Sequence, residues 1–198
     1  MFARTERLLL RPGWIEDAPA LARAIGEEAV VRNLATAPWP YDERDARDFL
    51  SQPLDPAQPR FLIFARTGGA PRLVGGCGIS DDPDGRPEMG YWIARPYWGL
   101  GFATEAGRQL LHIARAMRLP RLSAGHFLDN PASGAVLRKL GFRPTGQIAQ
   151  RHSRARGGAA PCALFEEGEA DADGAVTPMR DRIGVDEDFR EELRLMAA

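Results

Sequence analysis

Two glycines one residue apart, Gly99-Leu100-Gly101, stand between an alternating apolar segment and a run with helical spacing that begins near Ala103. A glycine turn feeding a helix leaves several backbone N–H groups unpaired and aimed at one point, and such a point binds anions, phosphates above all. Further on, Asn130-Pro131 opens a second helix and carries Ser133 into its first turn. Asn caps helices and Pro tolerates the first position, so the pair needs no ligand, although it leaves an exposed amide and a hydroxyl on one face. The G-x-G alone also describes a tight turn that needs positive φ. Rossmann-type dinucleotide binding fits poorly, because Thr104 stands where a third glycine is expected and an antiparallel meander precedes the turn.

The elements that must position these residues follow from periodicity and punctuation. Leu8–Arg11 reads as a short strand stopped by Pro12, and Asp17 as the N-cap of a helix carrying Ala20, Leu21, Ala24 and Ile25 up to Gly26. A second short helix starts at Asp42, with Ala46, Phe49 and Leu50 on one face, and Gln52–Pro59 is a loop. Phe61–Arg66, the glycine-rich Leu73–Ile79 and Glu88–Ile93 form a three-stranded antiparallel meander. In the last of these Met89, Tyr91 and Ile93 share one face, Glu88, Gly90 and Trp92 the other, and Gly90 predicts a bulge or a close backbone approach. The helix after the glycine turn buries Ala103, Ala106, Leu110, Ile113, Ala114 and Met117 and ends before Pro120. Leu122–Leu128 is a strand, and a helix from Pro131 closes on Gly141. Phe142–Gln150 and Ala159–Phe165 are closing strands joined by the arginine-rich loop His152–Gly158. The class is α/β, more finely α+β: a mixed, mostly antiparallel sheet with helices on both faces.

Composition narrows the partners. The chain has 198 residues, 44% hydrophobic and 27% charged, which fits one soluble domain with a sizeable core. No apolar run approaches membrane-spanning length, and the N-terminal apolar block is too short for a signal peptide, so the expected setting is the cytoplasm, with no membrane partner. Cys77 and Cys162 sit in separate apolar runs and read as buried reduced thiols, with no metal site. Residues 167–198 hold ten acidic against four basic side chains, leaving 22 basic and 17 acidic in 1–166. That mildly basic body suits an anionic small molecule and does not argue for nucleic acid. We therefore divide the chain into a domain, 1–166, and a tail, 167–198, made of an acidic linker (Glu167–Thr177) and a small helix (Asp186–Met196).

The blocks GGCGI (Gly75–Ile79), EMGYWIARPYWGLGFATEA (Glu88–Ala106) and DNPASGAVLRKLGF (Asp129–Phe142) resemble the GNAT superfamily of N-acetyltransferases. With the opening TERLLLRP (Thr5–Pro12), they look most like its ribosomal-protein alanine N-acetyltransferase branch, and they cover Thr5 to Phe165 in order. The resemblance implies a GNAT fold in which the fourth and fifth strands splay apart, with acetyl-CoA as cosubstrate. It places Trp98, Leu100, Gly101 and Ala103 on the family's pyrophosphate loop, with Trp98 in place of the usual Gln or Arg. The cofactor set it implies is Trp98, Gly99, Leu100, Gly101, Phe102, Ala103 and Thr104 for the pyrophosphate, and the backbone of Trp92, Ile93 and Ala94 for the pantetheine arm. Asn130 is added as a pantetheine contact, and Lys139, with Arg95 and Arg138, for the 3′-phosphate.

For chemistry the resemblance implies Ser133 as the group that protonates the leaving thiolate. Its bland alternative is a small helical residue bonding back to the chain. An amine must lose a proton to attack a thioester, and Glu88 is the expected base, acting directly or through water. An ordinary charged strand-end residue is the other reading of Glu88. His126 and His152 have suitable intrinsic pKa values but read as pocket-lining or surface residues, and His112 as structural. The implied activity is transfer of an acetyl group from acetyl-CoA to a primary amine of a small molecule or protein N-terminus, by direct attack in a ternary complex. A CoA-binding regulatory module without turnover and a structural or interaction protein on the same scaffold are the alternatives. The acceptor pocket is expected between Trp14–Leu50 and Gln150–Pro161, with Trp39 and Tyr41 as candidate lining; the acceptor's identity and homodimer formation stay open.

Overall fold

The computed structural model describes residues 1–66 and 69–168. Eight strands form one sheet: β1 (Ala3–Arg4), β2 (Leu8–Arg11), β3 (Arg60–Ala65), β4 (Arg72–Asp81), β5 (Pro87–Ile93), β6 (Ser123–Phe127), β7 (Phe142–Ser153) and β8 (Gly158–Glu167). Their spatial order is β1-β2-β3-β4-β5-β6-β8-β7. Every neighbouring pair is antiparallel except β5 and β6, which run parallel and share a single rung, Glu88 opposite Ser123. Beyond that rung the two strands part, which is the expected splay.

The helices are α1 (Ala18–Ile25), α2 (Glu28–Val31), α3 (Glu43–Leu50), α4 (Phe102–Ala116) and α5 (Pro131–Lys139). On one face α4 and α5 bury Ala106, Leu110, Ile113 and Leu137 against Leu8, Leu10, Ile63 and Met89. Leu8, Leu10, Ile63 and Leu110 are wholly buried, each stabilising the fold by about 1.5–3 kcal/mol relative to exposure. On the other face α1 and α3 bury Ala18, Leu21 and Ala46 against Leu62 and Phe64, with Trp92 at the border. Alternation along β3 divides these layers residue by residue.

Caps and turns set the boundaries. Asp42 caps α3 by accepting from the N–H groups of Arg44 and Asp45, while the Asp45 carboxylate accepts from Asp42 N–H. Two elements lie outside the sequence expectation: β1 has two residues and α2 four, too few to carry a period. At the other end β8 runs on to Glu167, the residue expected to open the linker. Its carboxylate accepts from Leu122 N–H at 3.2 Å and pairs with Arg115 at 3.1 Å, so it closes the sheet. The rest of the expected acidic linker and the Asp186–Met196 helix lie outside the described residues.

Gly90 corrects its expectation. The β4–β5 register is continuous through Gly78 opposite Gly90, and a Cβ there would meet nothing within 4 Å. The close approaches lie on β4 instead, where a Cβ at Gly76 would stand 2.6 Å from the indole nitrogen of Trp92. The glycines of β4 thus let the Trp92 ring lie across the sheet.

Candidate active site

The gap between β5 and β6 is lined by backbone of known parity. Ala94 N–H donates to Val74 O at 2.9 Å, so Ala94, Trp92 and Gly90 turn their backbone groups to β4. Tyr91 and Ile93 turn theirs into the gap. Of the three residues expected to grip a pantetheine arm, only Ile93 therefore faces it. Ala94 O is also occupied, by Tyr97 N–H at 2.9 Å. Ile93 O accepts the indole N–H of Trp98 at 2.6 Å, which leaves the Ile93 N–H and both backbone groups of Tyr91 for a ligand. Trp98 thereby ties the glycine loop to the end of β5, a role that its replacement of a polar residue did not suggest.

The loop itself is built for an anion. Gly99 and Gly101 adopt φ of 77° and 80°, the left-handed region that glycine enters without strain. Gly101 is the N-cap of α4 and has no side chain to cap it, so the N–H groups of Phe102, Ala103 and Thr104 lack an intrahelical acceptor. Beside them opens a groove of about 630 Å³ bordered by Arg7, Gly101, Thr104, Arg108 and Lys139. Arg108 and Lys139 have no ion-pair partner among the described residues. Arg95 instead pairs with Glu27 at 3.3 Å, and Arg138 lies over the Phe165 ring at 5.6 Å. Lys139 is therefore the one of the three proposed cations that meets this groove.

Arg7 escaped the sequence reading. It donates to Leu100 O at 3.0 Å and to Glu105 at 2.7 Å, and Glu105 also accepts from Thr5 Oγ1 at 2.5 Å and Arg7 N–H at 2.9 Å. Burial pushes the Glu105 carboxyl up, but the bonds from Thr5 and Arg7 outweigh it and hold the pKa below its ordinary value. A carboxylate in the first turn of α4 is thus neutralised rather than left to repel a phosphate. The contact joins residues 98 positions apart, so no local spacing could have announced it.

Ser133 and Asn130 meet as their spacing implies. Asn130 Oδ1 accepts from Ser133 N–H at 3.4 Å, so the amide caps α5. The Ser133 hydroxyl lies 2.9 Å from the Tyr91 hydroxyl, which also donates to Ser133 O at 3.0 Å. Tyr91 shares a face of β5 with Met89 and Ile93, as the alternation predicts, and its ring packs against the core while its hydroxyl meets Ser133. Burial raises the phenol to about 12, with the Ser133 bond pulling the other way, so Tyr91 is neutral and able to donate.

Glu88 sits at the base of the splay, on the sheet face that carries α1 and α3. Its Oε1 lies 3.6 Å from Arg151, and a Cβ on Gly125 would come 3.7 Å from it. Burial raises its pKa, opposed by the nearby Arg151 cation. His126 is on the other face, beneath α5, where a Cβ on Gly134 would strike its Nε2. His152 is exposed and alternates away from Arg151. Neither histidine accompanies Glu88. Asp129 joins Arg156 at 2.8 Å and Arg32 at 2.8 Å, tying the β7–β8 hairpin to the chain after α2. Trp39 is 43% exposed, in the chain beyond α2. Among the described residues no group of His, Cys, Asp and Glu could hold a metal ion, and no helix is long and apolar enough to cross a membrane.

Residues 7–143 match the family described as "Acetyltransferase (GNAT) domain". The "Uncharacterized N-acetyltransferase p20" of Bacillus licheniformis is 31% identical over 160 residues, covering 77% of this chain and 88% of that protein. Among solved structures, a GNAT-family acetyltransferase from Bacillus anthracis superposes with a TM-score of 0.71 at 23% identity, covering 86% of this chain and all of that one. The microcin C7 self-immunity acetyltransferase MccE, solved with acetyl-CoA and AMP, superposes at 0.68 and 18% identity, covering 83% and 94%. The splayed sheet, the uncapped glycine loop and the sequence match agree: this chain belongs to the GNAT acetyltransferase family and is an acetyl-CoA-dependent acyltransferase.

Proposed function

We propose that the enzyme acetylates a primary amine by direct attack in a ternary complex, with Ser133 and Glu88 as its proton-handling residues. The observation that carries this reading is the gap: one rung at Glu88 and Ser123, then free backbone groups on β5, ending at an uncapped helix N-terminus. That arrangement matches the cosubstrate from end to end. Tyr91 and Ile93 offer strand-like partners to the pantetheine amides, and the Gly99–Thr104 loop offers N–H groups to the pyrophosphate. Arg108 and Lys139 offer charge to the remaining phosphate.

Acetyl-CoA supplies an activated thioester. Glu88 takes the proton that the attacking amine loses, directly or through one water, and burial makes its carboxylate a stronger base than usual. A β5 N–H facing the gap, from Tyr91 or Ile93, stabilises the negative charge that builds on the carbonyl oxygen. As the C–S bond breaks and the C–N bond stands complete, Ser133 gives its hydroxyl proton to the sulfur, with the Tyr91 hydroxyl hydrogen-bonded behind it. Solvent then returns a proton to Ser133 and removes one from Glu88, so the cycle balances.

The catalytic unit ends with β8, and burial raises the thiols of Cys77 to about 12 and Cys162 to about 11, which suits a reducing cytoplasm. The test is thiol release from acetyl-CoA across a broad panel of amines, run beside thermal stabilisation by acetyl-CoA alone. Stabilisation with no release would favour a binding module; no stabilisation would overturn the CoA-based reading.

A further inference from the structure

Arg151 lies on the same sheet face as Glu88, three strands away, and the two side chains meet above small residues. Between β5 and β7 that face presents Gly125 on β6 and Cys162 on β8, and a Cβ on Gly125 would stand only 2.8 Å from the Cys162 sulfur. Gly90 is exposed beside Glu88 with open space where a side chain would be. A carboxylate and a guanidinium thus meet over glycine and cysteine positions of the face that borders the β5–β6 gap.

The guanidinium is poorly satisfied for its burial. Arg151 is 20% exposed, and its contact with Glu88 at 3.6 Å is too long for a hydrogen bond. Its side chain makes no hydrogen bond among the described residues. Other guanidinium groups as deeply placed are fully engaged: Arg11, 12% exposed, holds Asp17 through two bonds of 2.7 Å, and Arg156, 15% exposed, holds Asp129 through bonds of 2.8 and 2.9 Å. A guanidinium withdrawn from water and lacking such a fork partner is a receptor for an oxyanion.

We propose that Arg151 reads an anionic group carried by the acceptor, so that the substrate is a small amine bearing a carboxylate or phosphate within a few bonds of its nitrogen. The inference rests on the acetyl-transfer reading above, since it places the amine at Glu88 and the anion beside it. The closeness of the two charges limits the spacer: an α-amino acid, or an aminoalkyl phosphate of similar length, spans them, and a long polyamine has nothing to offer Arg151.

The experiment measures thiol release by the full chain with matched acceptors: L-amino acids against their amides, and phosphoethanolamine against ethanolamine. The acidic members should be favoured in kcat/KM by about tenfold or more, with the carboxylate and phosphate arms telling the two anions apart. Arg151→Met should level each pair by raising KM for the acidic acceptor, and Arg151→Lys should restore part of the preference. Thermal stabilisation by acetyl-CoA should be the same in all three proteins, which also reports that the variants fold. Equal or better turnover of the neutral members, or a preference unchanged in Arg151→Met, overturns the proposal. So does acetyl-CoA stabilisation without turnover of any acidic acceptor, whereas loss of stabilisation in the parent protein would overturn the acetyl-transfer reading itself.

Discussion

The hydroxyls of Tyr91 and Ser133 stand 2.9 Å apart and join the middle of β5 to the first turn of α5. Ser133 is therefore held in one orientation by a neutral phenol as well as by its own helix. Ser133→Ala should lower kcat by about 10²-fold, the usual reach of a positioned acid, while leaving acetyl-CoA binding nearly intact. Tyr91→Phe keeps the ring in the core and removes only the supporting hydroxyl, so its loss should be smaller, roughly tenfold. Steady-state kinetics with varied acetyl-CoA checks both.

Glu88 couples activity to stability through its raised pKa. A carboxyl whose folded-state pKa lies above its unfolded value favours folding only while protonated. Its ionised form therefore costs stability as pH rises through the folded value. Glu88→Gln should lose about 10²-fold in kcat/KM and gain thermal stability at neutral pH, the gain fading as pH falls through the raised folded value and absent below the ordinary carboxylate value. Because the Arg151 cation pulls the Glu88 pKa down, Arg151→Met should shift the acidic limb of the kcat/KM profile toward higher pH. A pH–rate profile and melting curves at several pH values measure these effects.

Glu105 connects the glycine loop to the first strands through Arg7 and Thr5. Glu105→Ala releases Arg7 from one partner and leaves the Thr5 hydroxyl only its bonds to the Leu8 backbone, so stability should fall by about 1–3 kcal/mol. KM for acetyl-CoA should rise several-fold with kcat little changed, since the altered contacts lie at the phosphate end. Urea unfolding and the KM-against-kcat split test this.

Asp82 has a fully buried side chain in the β4–β5 turn, accepting from the N–H groups of Asp84 and Arg86 at 2.9 Å each. Burial pushes its pKa up, but those bonds and the Arg86 cation overcome it, so the net pKa is lowered. The stability it provides is complete above its ordinary pKa and is lost as pH falls through the folded value. Asp82→Ala should cost about 2 kcal/mol near neutrality, and the difference should vanish in strong acid, as seen by denaturant titration at two pH values.

What the sequence exposes is what repeats or punctuates. The stripe of α4, the Asn130-Pro131 start of α5 with Gly141 beyond its end, and the glycines at 99 and 101 all act locally, and each lies where its pattern requires. Side-chain alternation also separated Glu88 and Trp92 from Met89 and Ile93. It could not tell which backbone groups of β5 meet β4 and which meet the gap, because that depends on register with a strand elsewhere in the chain. Hence Trp92 and Ala94 were expected at the gap, whereas the backbone groups that face it are those of Tyr91 and Ile93. Long-range partners were equally silent: Arg7 with Glu105, and Arg151 with Glu88, touch only after the chain has folded. Tyr91 was hidden for another reason, since an amphipathic side chain can satisfy a core pattern with its ring and serve a site with its tip.

A sheet whose halves share one rung is mechanically two plates. Among the described residues the backbone ladder joins β1–β5 to β6–β8 at Glu88 and Ser123 alone, and the helices packed across them and side-chain contacts such as Arg151 with Glu88 supply the other joins. A ligand lying between them acts as mortar, bonding to one plate and filling space against the other. Cosubstrate binding should therefore slow hydrogen exchange in β6 and β8 as well as in the residues it touches, and the loaded enzyme should yield to proteases as one body where the free enzyme yields in two steps.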